Sequence, residues 1–357
     1  MSKESSYDES SVPVIEYADL GRDDPSVVQA IAKGFGEFGL VYVRGAPIAG
    51  AMLEALYASF LDVLARPRDE KASWGGRKVW YQRGWTPPNT EQAVAAGGQP
   101  DFKECFFAAP LPLDPEARRP WPELFAPNVW PAEAPAFREH LLAIGQALQR
   151  VGDALLRGCA RALGVDSSTF ATRTEGAAHV SRLLQYLPLD EAQIRAQPRV
   201  LWGEEHTDFN LLTLLPGGRF FREGSPVAPP ADRGGLYLRT RPTAAHPQGR
   251  KVSGRPPAGC LVAQVGQQLE VLSDGRFLAT PHGIVPPGVP GYARTSLAHF
   301  VHLRPDCLVA PLPDLRSPDS RYGPPVLAGT WAMATLATIG LAPPEAIARL
   351  GYTPPTT

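Results

Sequence analysis

Hydrophobic positions in the first half of the chain recur mainly at helical spacing. Asp24 is a suitable helix N-cap, Pro25 takes the first helical position, and residues 25–38 carry apolar side chains on one face. The stretch GLVYVRG then predicts a β-strand, and residues 51–65 predict a second helix. The strongest helical pattern is EAPAFREHLLAIGQALQRVGDALLRGCARALG, which ends at Gly164, a residue suited to a helix C-terminus. This half is therefore expected to be largely helical.

Beyond Ala178 the pattern changes to short apolar or alternating runs separated by turn residues. These runs are HVSRLLQYL, LLTLL, GGLYLRT, GCLVAQV, QQLEVL, RFLATPH and ARTSLAHFVHL, and they are typical of the strands of a β-barrel or β-sandwich. The step Ser273-Asp274-Gly275 predicts a hairpin between QQLEVL and RFLATPH, because Asp-Gly adopts the positive φ angles of a type I′ turn.

Three further segments lack a clear period. Residues 71–131 are rich in Pro, Gly and aromatic residues and predict long ordered loops that line a pocket, while the basic stretch 241–256 predicts an excursion between strands. The Ser- and Glu-rich residues 1–11 predict a disordered tail. The whole pattern favours one α+β domain with a mainly β core. Its helical and loop part is residues 12–177, its β core is residues 178–304, and its C-terminal segment is residues 305–357.

Composition favours a small-molecule partner. Apolar residues make up 44% of the 357 positions and charged residues 20%, and the formal net charge is -1, which gives no electrostatic reason to expect nucleic acid or an anionic membrane. The four cysteines are scattered without CxxC spacing, so neither a disulfide framework nor a thiolate zinc site is predicted. An N-terminus without an apolar leader segment, and the absence of a long apolar run, favour a cytoplasmic protein.

A metal site is the first chemical hypothesis. In EEHTDFNLLTLL, His206 and Asp208 lie two residues apart, a spacing that turns both side chains to one side of a strand. His282, in LATPHGIV, follows the predicted hairpin and could return to this pair. Two imidazoles and one carboxylate on one face of an octahedral iron(II) leave three positions for a bidentate co-substrate and dioxygen. If each motif is considered alone, the alternatives are a surface turn for the His206–Asp208 pair and a structural role for His282.

A second group of residues suits an acidic co-substrate. Arg294 and Ser296, in GYARTSLAHFVHL, share one face of the next predicted strand. A guanidinium pairs with a carboxylate through two parallel hydrogen bonds, so Arg294 is suited to the far end of a keto-diacid whose other end chelates iron. Strand alternation places His302 on the same face and His299 on the opposite one, where a structural role is expected.

At this point the chain resembles a known family. HTDFNLLTLL, LEVLSDGRFLATPH and ARTS are similar, in wording and order, to the isopenicillin-N-synthase-like group of iron(II)/2-oxoglutarate-dependent oxygenases, and VPVIEYADL, FGLVYVRG, RGWTPPNTE, DFKECFF and NVWP extend the resemblance over nearly the whole chain. The resemblance implies a double-stranded β-helix, or jelly roll, flanked by helices. It also implies iron(II), 2-oxoglutarate and dioxygen as cofactor and co-substrates, with oxidation, most simply hydroxylation, of a small molecule and release of succinate and CO2.

Carried over position by position, the resemblance makes His206, Asp208 and His282 the iron ligands. Arg294 and Ser296 match the pair that holds 2-oxoglutarate. In the family, a tyrosine that contacts 2-oxoglutarate comes directly before a proline. This chain reads LLQYLP, which places Tyr186 one position earlier, so Tyr186 is the first candidate for this contact and Gln185 the second. The stretch Gly266-Gln267 departs from the family's Gly-Asp, and the long basic excursion resembles the ethylene-forming branch.

The substrate shell is expected from aromatic and basic residues near the metal. We assign to it the loop residues and the neighbour of the metal strand, namely Tyr81, Arg83, Trp85, Phe106 and Phe209, with burial in the core as the alternative. Competing functions are an iron(II) oxidase that needs no 2-oxoglutarate, an ethylene-forming enzyme, a catalytically silent jelly-roll binding protein and a zinc hydrolase. The natural product, amino acid or peptide-like metabolite that is oxidised, and the oligomeric state, stay open at this point.

Overall fold

The structure is a computed structural model, and it describes residues 12–22, 24–91, 101–116, 120–196, 200–230, 234–240, 242, 247–249, 251–343 and 345–346. The helices are α1 (Pro25–Lys33), α2 (Gly50–Leu64), α3 (Arg68–Ala72), α4 (Pro135–Leu163), α5 (Ala171–Thr174), α6 (Glu191–Arg195), α7 (Gln267–Leu272) and α8 (Ala328–Thr338). The strands are β1 (Val14–Glu16), β2 (Leu40–Arg44), β3 (Gly84–Thr86), β4 (Lys103–Ala108), β5 (Val180–Tyr186), β6 (Gly203–His206), β7 (Leu212–Leu215), β8 (Gly218–Arg222), β9 (Ser225–Val227), β10 (Gly235–Arg239), β11 (Lys251–Ser253), β12 (Cys260–Val265), β13 (His282–Val285), β14 (Tyr292–Val301), β15 (Leu308–Val309) and β16 (Val326–Leu327).

Two β-sheets form the core of the fold. The larger sheet has the order β1-β2-β12-β7-β14-β5-β4-β3, with β8 and β9 attached at β14, and the smaller has the order β11-β10-β13-β6. Residues of both sheets line one large cavity. The expected α+β class, with a double-stranded β-helix core flanked by helices, is confirmed.

The helices cover the outer face of the larger sheet. α4 contacts α1, α2 and β14, and its apolar side chains, including Leu148 and Leu155, are fully buried in the main core. Gly158 permits the close approach of α1, because a Cβ at this position would lie 2.3 Å from the Cδ1 atom of Ile31. Burial of apolar area of this kind is the main source of stability in such a layer.

The helix boundaries that the sequence predicted are largely correct. The side chain of Asp24 accepts a hydrogen bond from the Ser26 backbone N–H at 2.8 Å, and Pro25 is the first helical residue. The predicted helix continues past α1 as a π-helical turn, Gly34–Phe38. Gly164, with φ of 72°, ends α4 as expected.

The predicted hairpin around Asp274 is wrong. QQLEVL forms the helix α7 instead of a strand, and Asp274 and Gly275 form the turn that leaves this helix, with φ angles of 52° and 73°. A short apolar run fits a buried helical turn as well as a strand. The first residue of this helix is anchored to the metal-ligand segment, because the Gln267 N–H donates to the Asp208 carbonyl oxygen at 2.7 Å.

The interval 71–131 is more regular than predicted. β3 and β4 lie within it and extend the larger sheet beyond β5. Of the basic excursion, residues 251–253 form β11, whereas residues 241, 243–246 and 250 lie outside the described residues, as do the tail residues 1–11. In the described part of the chain, no helix is both long and apolar enough to cross a bilayer. The four cysteine thiols are free.

Candidate active site

Three potential metal ligands meet at the rim of the smaller sheet. His206 is the last residue of β6 and lies opposite His282, the first residue of β13, with 4.5 Å between their ring centroids. Asp208 lies just beyond β6, rather than on the strand as its spacing suggested. Its Oδ1 is 3.5 Å from His206 Nε2 and its Oδ2 is 3.8 Å from His282 Nε2. One ligand atom from each residue lies within 4.8 Å of the others.

Backbone carbonyls fix the orientation of both imidazoles. His206 Nδ1 is 2.7 Å from the Glu204 carbonyl oxygen, and His282 Nδ1 is 3.1 Å from the Thr280 carbonyl oxygen. Since a carbonyl can only accept, each Nδ1 donates to it, and this fixed ring orientation turns each Nε2 toward Asp208. Hydrogen-bonded neighbours orient metal-binding histidines in this way.

The carboxylate of Asp208 is also held in place. Its Oδ2 accepts hydrogen bonds from Thr213 Oγ1 at 2.6 Å and Gln264 Nε2 at 3.0 Å. Burial alone would raise the pKa of Asp208, but the imidazoles of His282 and His206 and the Thr213 hydroxyl outweigh it, so the pKa lies below its usual value. Asp208 is thus an anion whose Oδ1 is available, and two nitrogens with one oxygen fit a divalent iron ion.

A cavity of about 780 Å³ extends from this triad into the space between the sheets. Arg294 and Ser296 lie on the inner face of β14 and line this cavity. Among the described residues, no carboxylate forms an ion pair with Arg294; its guanidinium lies 5.6 Å from the ring of Tyr186. Burial lowers the pKa of Arg294 from its usual value, although the group stays a cation at neutral pH. A partly buried cation in a cavity, without a counter-ion among the described residues, is suited to an anionic ligand.

The position of Arg294 depends on a close approach to Gly218. A Cβ at Gly218 would lie 2.6 Å from Arg294 Nη2 and 2.7 Å from its Cζ. The turn before Gly218 is anchored by α2, because the Tyr57 hydroxyl donates to the Gly217 carbonyl oxygen at 2.5 Å. Gly217 has φ of 102°, a value that side chains disfavour. Helix α2 therefore helps to position the backbone of Gly217 and Gly218 against which the Arg294 guanidinium packs.

The residues expected in the substrate shell do not line this cavity. Trp85 and Phe106 are opposite each other on β3 and β4 and face the helices, where Phe106 packs 5.0 Å from Phe137. Arg83 is fully buried and donates to two backbone carbonyls. Strand alternation explains this position, because it turns Trp85 and Phe106 toward the helices and the side chains of their neighbours along the strands toward the opposite face of the sheet.

The two remaining substrate candidates also lie elsewhere. Tyr81 packs against a cluster that includes Trp80 and residues of α8. The ring of Phe209 lies 5.5 Å from that of His302 at an angle of 38°, and both residues line a separate cavity of only about 30 Å³. The expectation of a substrate shell formed by these residues is therefore not supported for the large cavity.

Alternation also separates the other candidates on β5 and β14. Tyr186 lines the cavity and stacks on Trp202 at 5.4 Å, whereas Gln185 points to the other face and accepts a hydrogen bond from Thr295. His299 is buried against α4, 3.0 Å from Ser181 Oγ and 2.9 Å from Gln149 Oε1.

Sequence reasoning missed four residues that contribute to this site. Thr213 and Gln264 support Asp208 from β7 and β12, while Lys103 and Arg182 line the cavity from β4 and β5. An alternation count along β5 would have placed Arg182 on the face of Tyr186. The others depend on strand register, which no local motif specifies.

Comparison with known families gives matches to both halves of the chain. The family model "non-haem dioxygenase in morphine synthesis N-terminal" matches residues 12–133, and the model "2OG-Fe(II) oxygenase superfamily" matches residues 182–303. The second match includes His206, Asp208, His282, Arg294 and Ser296.

Curated relatives and solved structures agree with these models. Validamycin A dioxygenase of Streptomyces hygroscopicus subsp. limoneus is 27% identical over 64% of this chain and 58% of its own length. Homoarginine-6-hydroxylase of Oryza sativa subsp. japonica is 27% identical over 85% of this chain and 88% of its own length. The crystal structure of a full-length Neurospora crassa protein in complex with alpha-KG superposes with a TM-score of 0.72, at 21% identity, over 91% of this chain and 96% of that one.

Proposed function

The chain belongs to the 2OG-Fe(II) oxygenase superfamily, and on that premise we propose that His206, Asp208 and His282 hold its iron(II) while Arg294 and Ser296 bind 2-oxoglutarate. The protein is an iron(II)- and 2-oxoglutarate-dependent dioxygenase that oxidises a small molecule. The observation that carries the residue assignment is the partly buried Arg294 guanidinium, which faces the same cavity as the triad and has no ion-pair partner among the described residues.

The iron ligands are assigned from the prepared geometry of the triad. When bound, iron(II) supplies the activation of dioxygen that couples decarboxylation of 2-oxoglutarate to succinate and CO2 with oxidation of the substrate. The carbonyls of Glu204 and Thr280 accept from each Nδ1 and so turn the two Nε2 atoms toward Asp208, while the Thr213 hydroxyl holds the carboxylate of Asp208 through Oδ2. These residues hold the ligands before the metal arrives, which reduces the reorganisation that binding requires.

The co-substrate is anchored at its far end. The Arg294 fork can form two charge-assisted hydrogen bonds with the C5 carboxylate, and the Ser296 hydroxyl, two residues along the same face of β14, can donate a third. Tyr186, whose ring lies 5.6 Å from the Arg294 guanidinium and stacks on Trp202, limits the side-chain conformations of the arginine. An anchored dicarboxylate presents its keto acid end toward the triad.

The reaction we propose is hydroxylation of a C–H bond. Relatives whose names specify small-molecule substrates, such as homoarginine-6-hydroxylase and feruloyl CoA ortho-hydroxylase, support this reaction type. The outcome depends on how the cavity places the target C–H bond, since small displacements of a reacting group change its rate strongly.

Anaerobic titration of the iron(II)-loaded protein with 2-oxoglutarate tests this assignment. We expect a visible metal-to-ligand charge-transfer band whose midpoint gives the Kd, and we expect Arg294→Gln to raise that Kd at least tenfold. The matched control is Arg219→Gln, which removes a cavity cation already paired with Glu54. Binding of iron without a band would indicate an oxidase that needs no 2-oxoglutarate, and an unchanged Kd in Arg294→Gln would remove Arg294 from the site.

A further inference from the structure

Four buried charges form a cluster beside the metal end of the cavity. Lys103 Nζ lies 3.0 Å from Glu91 Oε2 and also pairs with Asp101, and Arg182 Nη2 pairs with the same Glu91 oxygen. The side chains of Lys103, Glu91 and Asp101 are only 8–9% exposed, and that of Arg182 is 14% exposed. Burial of four charges is costly, and the close pairing of the two cations with the two carboxylates offsets part of that cost.

The cluster presents its cations to the cavity. Lys103 and Arg182 line the cavity wall, whereas Glu91 and Asp101 are absent from the described lining and lie behind the cations. Burial would raise the pKa of Glu91, but Arg182 and Lys103 outweigh it and lower that pKa to about 2, so the carboxylate stays ionised and holds both cations. The positive end of this fixed arrangement therefore points into the cavity.

Several N–H donors of the two cations are unused. An ammonium has three donors, and the described acceptors of Lys103 are two carboxylates. Arg182 uses only Nη2, toward Glu91 and the Cys105 sulfur, while its Nε is buried without a partner among the described residues. Unused N–H donors on cations that line the cavity are suited to a ligand with anionic oxygens.

The backbone positions that carry these donors are separate from that of Arg294. Arg294 lies opposite Tyr186, and Tyr186 lies opposite Lys103, so two strand spacings, about 10 Å, separate the backbones at Arg294 and Lys103. Arg182 is four residues from Tyr186 along β5, which is about 13 Å. On the proposed assignment, Arg294 holds the far carboxylate of 2-oxoglutarate, so Lys103 and Arg182 are cations of the same cavity that this assignment does not use.

We propose that Lys103 and Arg182 form a subsite for a carboxylate of the prime substrate, so that the enzyme oxidises an organic acid. This inference rests on the proposed function, because it assigns the substrate class of the same site. Glu91 and Asp101 act as positioning residues that keep the two cations turned to the cavity. An acid held at this subsite leaves the rest of its carbon skeleton to lie over the triad.

The wild-type protein provides the first test. Iron(II)- and 2-oxoglutarate-loaded protein is titrated anaerobically with matched pairs of acids and primary amides, namely phenylacetate, 3-phenylpropanoate and the N-acetyl derivatives of the twenty common L-amino acids. Binding is followed by isothermal calorimetry and by the change in the charge-transfer band. We expect at least one acid to bind ten times more tightly than its amide. If no acid exceeds its amide, the subsite does not exist.

Two variants locate the effect. Lys103→Gln removes one cation and Arg182→Lys keeps the charge but removes the fork, so the second variant retains the ion pairs needed for folding. Both are expected to weaken binding of the selected acid at least tenfold and to leave binding of its amide and the Kd of 2-oxoglutarate within twofold, while Arg219→Gln changes neither. An unchanged acid affinity in both variants would overturn the proposal, and so would a tenfold rise in the Kd of 2-oxoglutarate for Arg182→Lys, which would assign Arg182 to the co-substrate.

The two proposals fail in different ways. Absence of the charge-transfer band in the wild-type protein contradicts the function on which the subsite rests. A normal band together with equal affinities for acids and amides contradicts the subsite alone.

Discussion

Substitution of Gly218 by alanine should displace the co-substrate anchor without unfolding the protein. The added Cβ would lie 2.6–2.8 Å from three atoms of the Arg294 guanidinium, whereas ordinary contacts begin at 3.4 Å, so the guanidinium must move by about 0.8 Å (3.4 minus 2.6). It is the end of a flexible side chain, and the backbone of Gly218 does not have a positive φ. The displacement therefore costs little folding free energy.

The same displacement should cost much binding free energy. A hydrogen-bonded contact with a charged group contributes about 1.5–3 kcal/mol, and 1.36 kcal/mol corresponds to a factor of ten. Loss of the aligned contact between Arg294 and the far carboxylate should raise the Kd of 2-oxoglutarate roughly 10- to 150-fold, while Tm changes by no more than about 2 °C. Titration of the charge-transfer band and thermal unfolding measure the two quantities.

Gly203→Ala is the matched control for this experiment. Gly203 also lines the cavity, but a Cβ there would make only an ordinary contact, 3.4 Å from Ile284. Its Kd should stay within twofold of the wild-type value. An unchanged Kd in Gly218→Ala, or an equal rise in Gly203→Ala, would refute the argument that Gly218 sets the position of Arg294.

Three other predictions follow from the packing. Thr213→Val should weaken iron(II) binding about 10- to 100-fold, because the carboxylate of Asp208 loses the hydrogen bond that Thr213 donates to it. Competition with a chelator measures the iron affinity, and an unchanged affinity would contradict this role of Thr213. Phe106→Ala should lower the free energy of unfolding by about 3–5 kcal/mol in urea and leave the substrate KM unchanged, since this ring is a core element; a large change in KM with little destabilisation would restore it to the substrate shell. Burial lowers the pKa of His179 to about 4, so on acidification the unfolded chain takes up this proton before the folded chain does. The free energy of unfolding should therefore fall by about 3 kcal/mol between pH 6.5 and pH 4. His179→Asn should reduce this fall in urea-denaturation experiments, and an unaltered dependence of the unfolding free energy on pH would contradict the role of His179.

The sequence predicted those parts of the site that depend on short spacings. Arg294 and Ser296 are two residues apart on β14, so local alternation was sufficient to place both on its inner face. Asp208 lies beyond the end of β6, so the short spacing kept it near His206 although strand alternation does not apply to it. The opposition of His206 and His282 was expected for the wrong reason, because the intervening segment is the helix α7 and not a hairpin strand.

Features that depend on register could not be predicted in this way. Lys103 and Phe106 belong to one strand, yet the first faces the cavity and the second faces α4. Nearly every residue of β4 is buried, so its sequence shows no alternation from which the inner face could be read. The neighbours of Arg182 and Gln264 are likewise fixed by pairing between strands distant in sequence.

If His206 and His282 hold the metal as proposed, the location of His206 would also give the metal a part in stabilising the smaller sheet. β6 ends the order of the four-stranded sheet, and its pairing with β13 is irregular between His282 and Ile284. A bound ion would join the two strands through their side chains at the point where the backbone ladder is interrupted. Bound iron would then hold the end of β6 against β13, and its removal should increase amide hydrogen exchange in β6 more than in β14, which pairs along both edges.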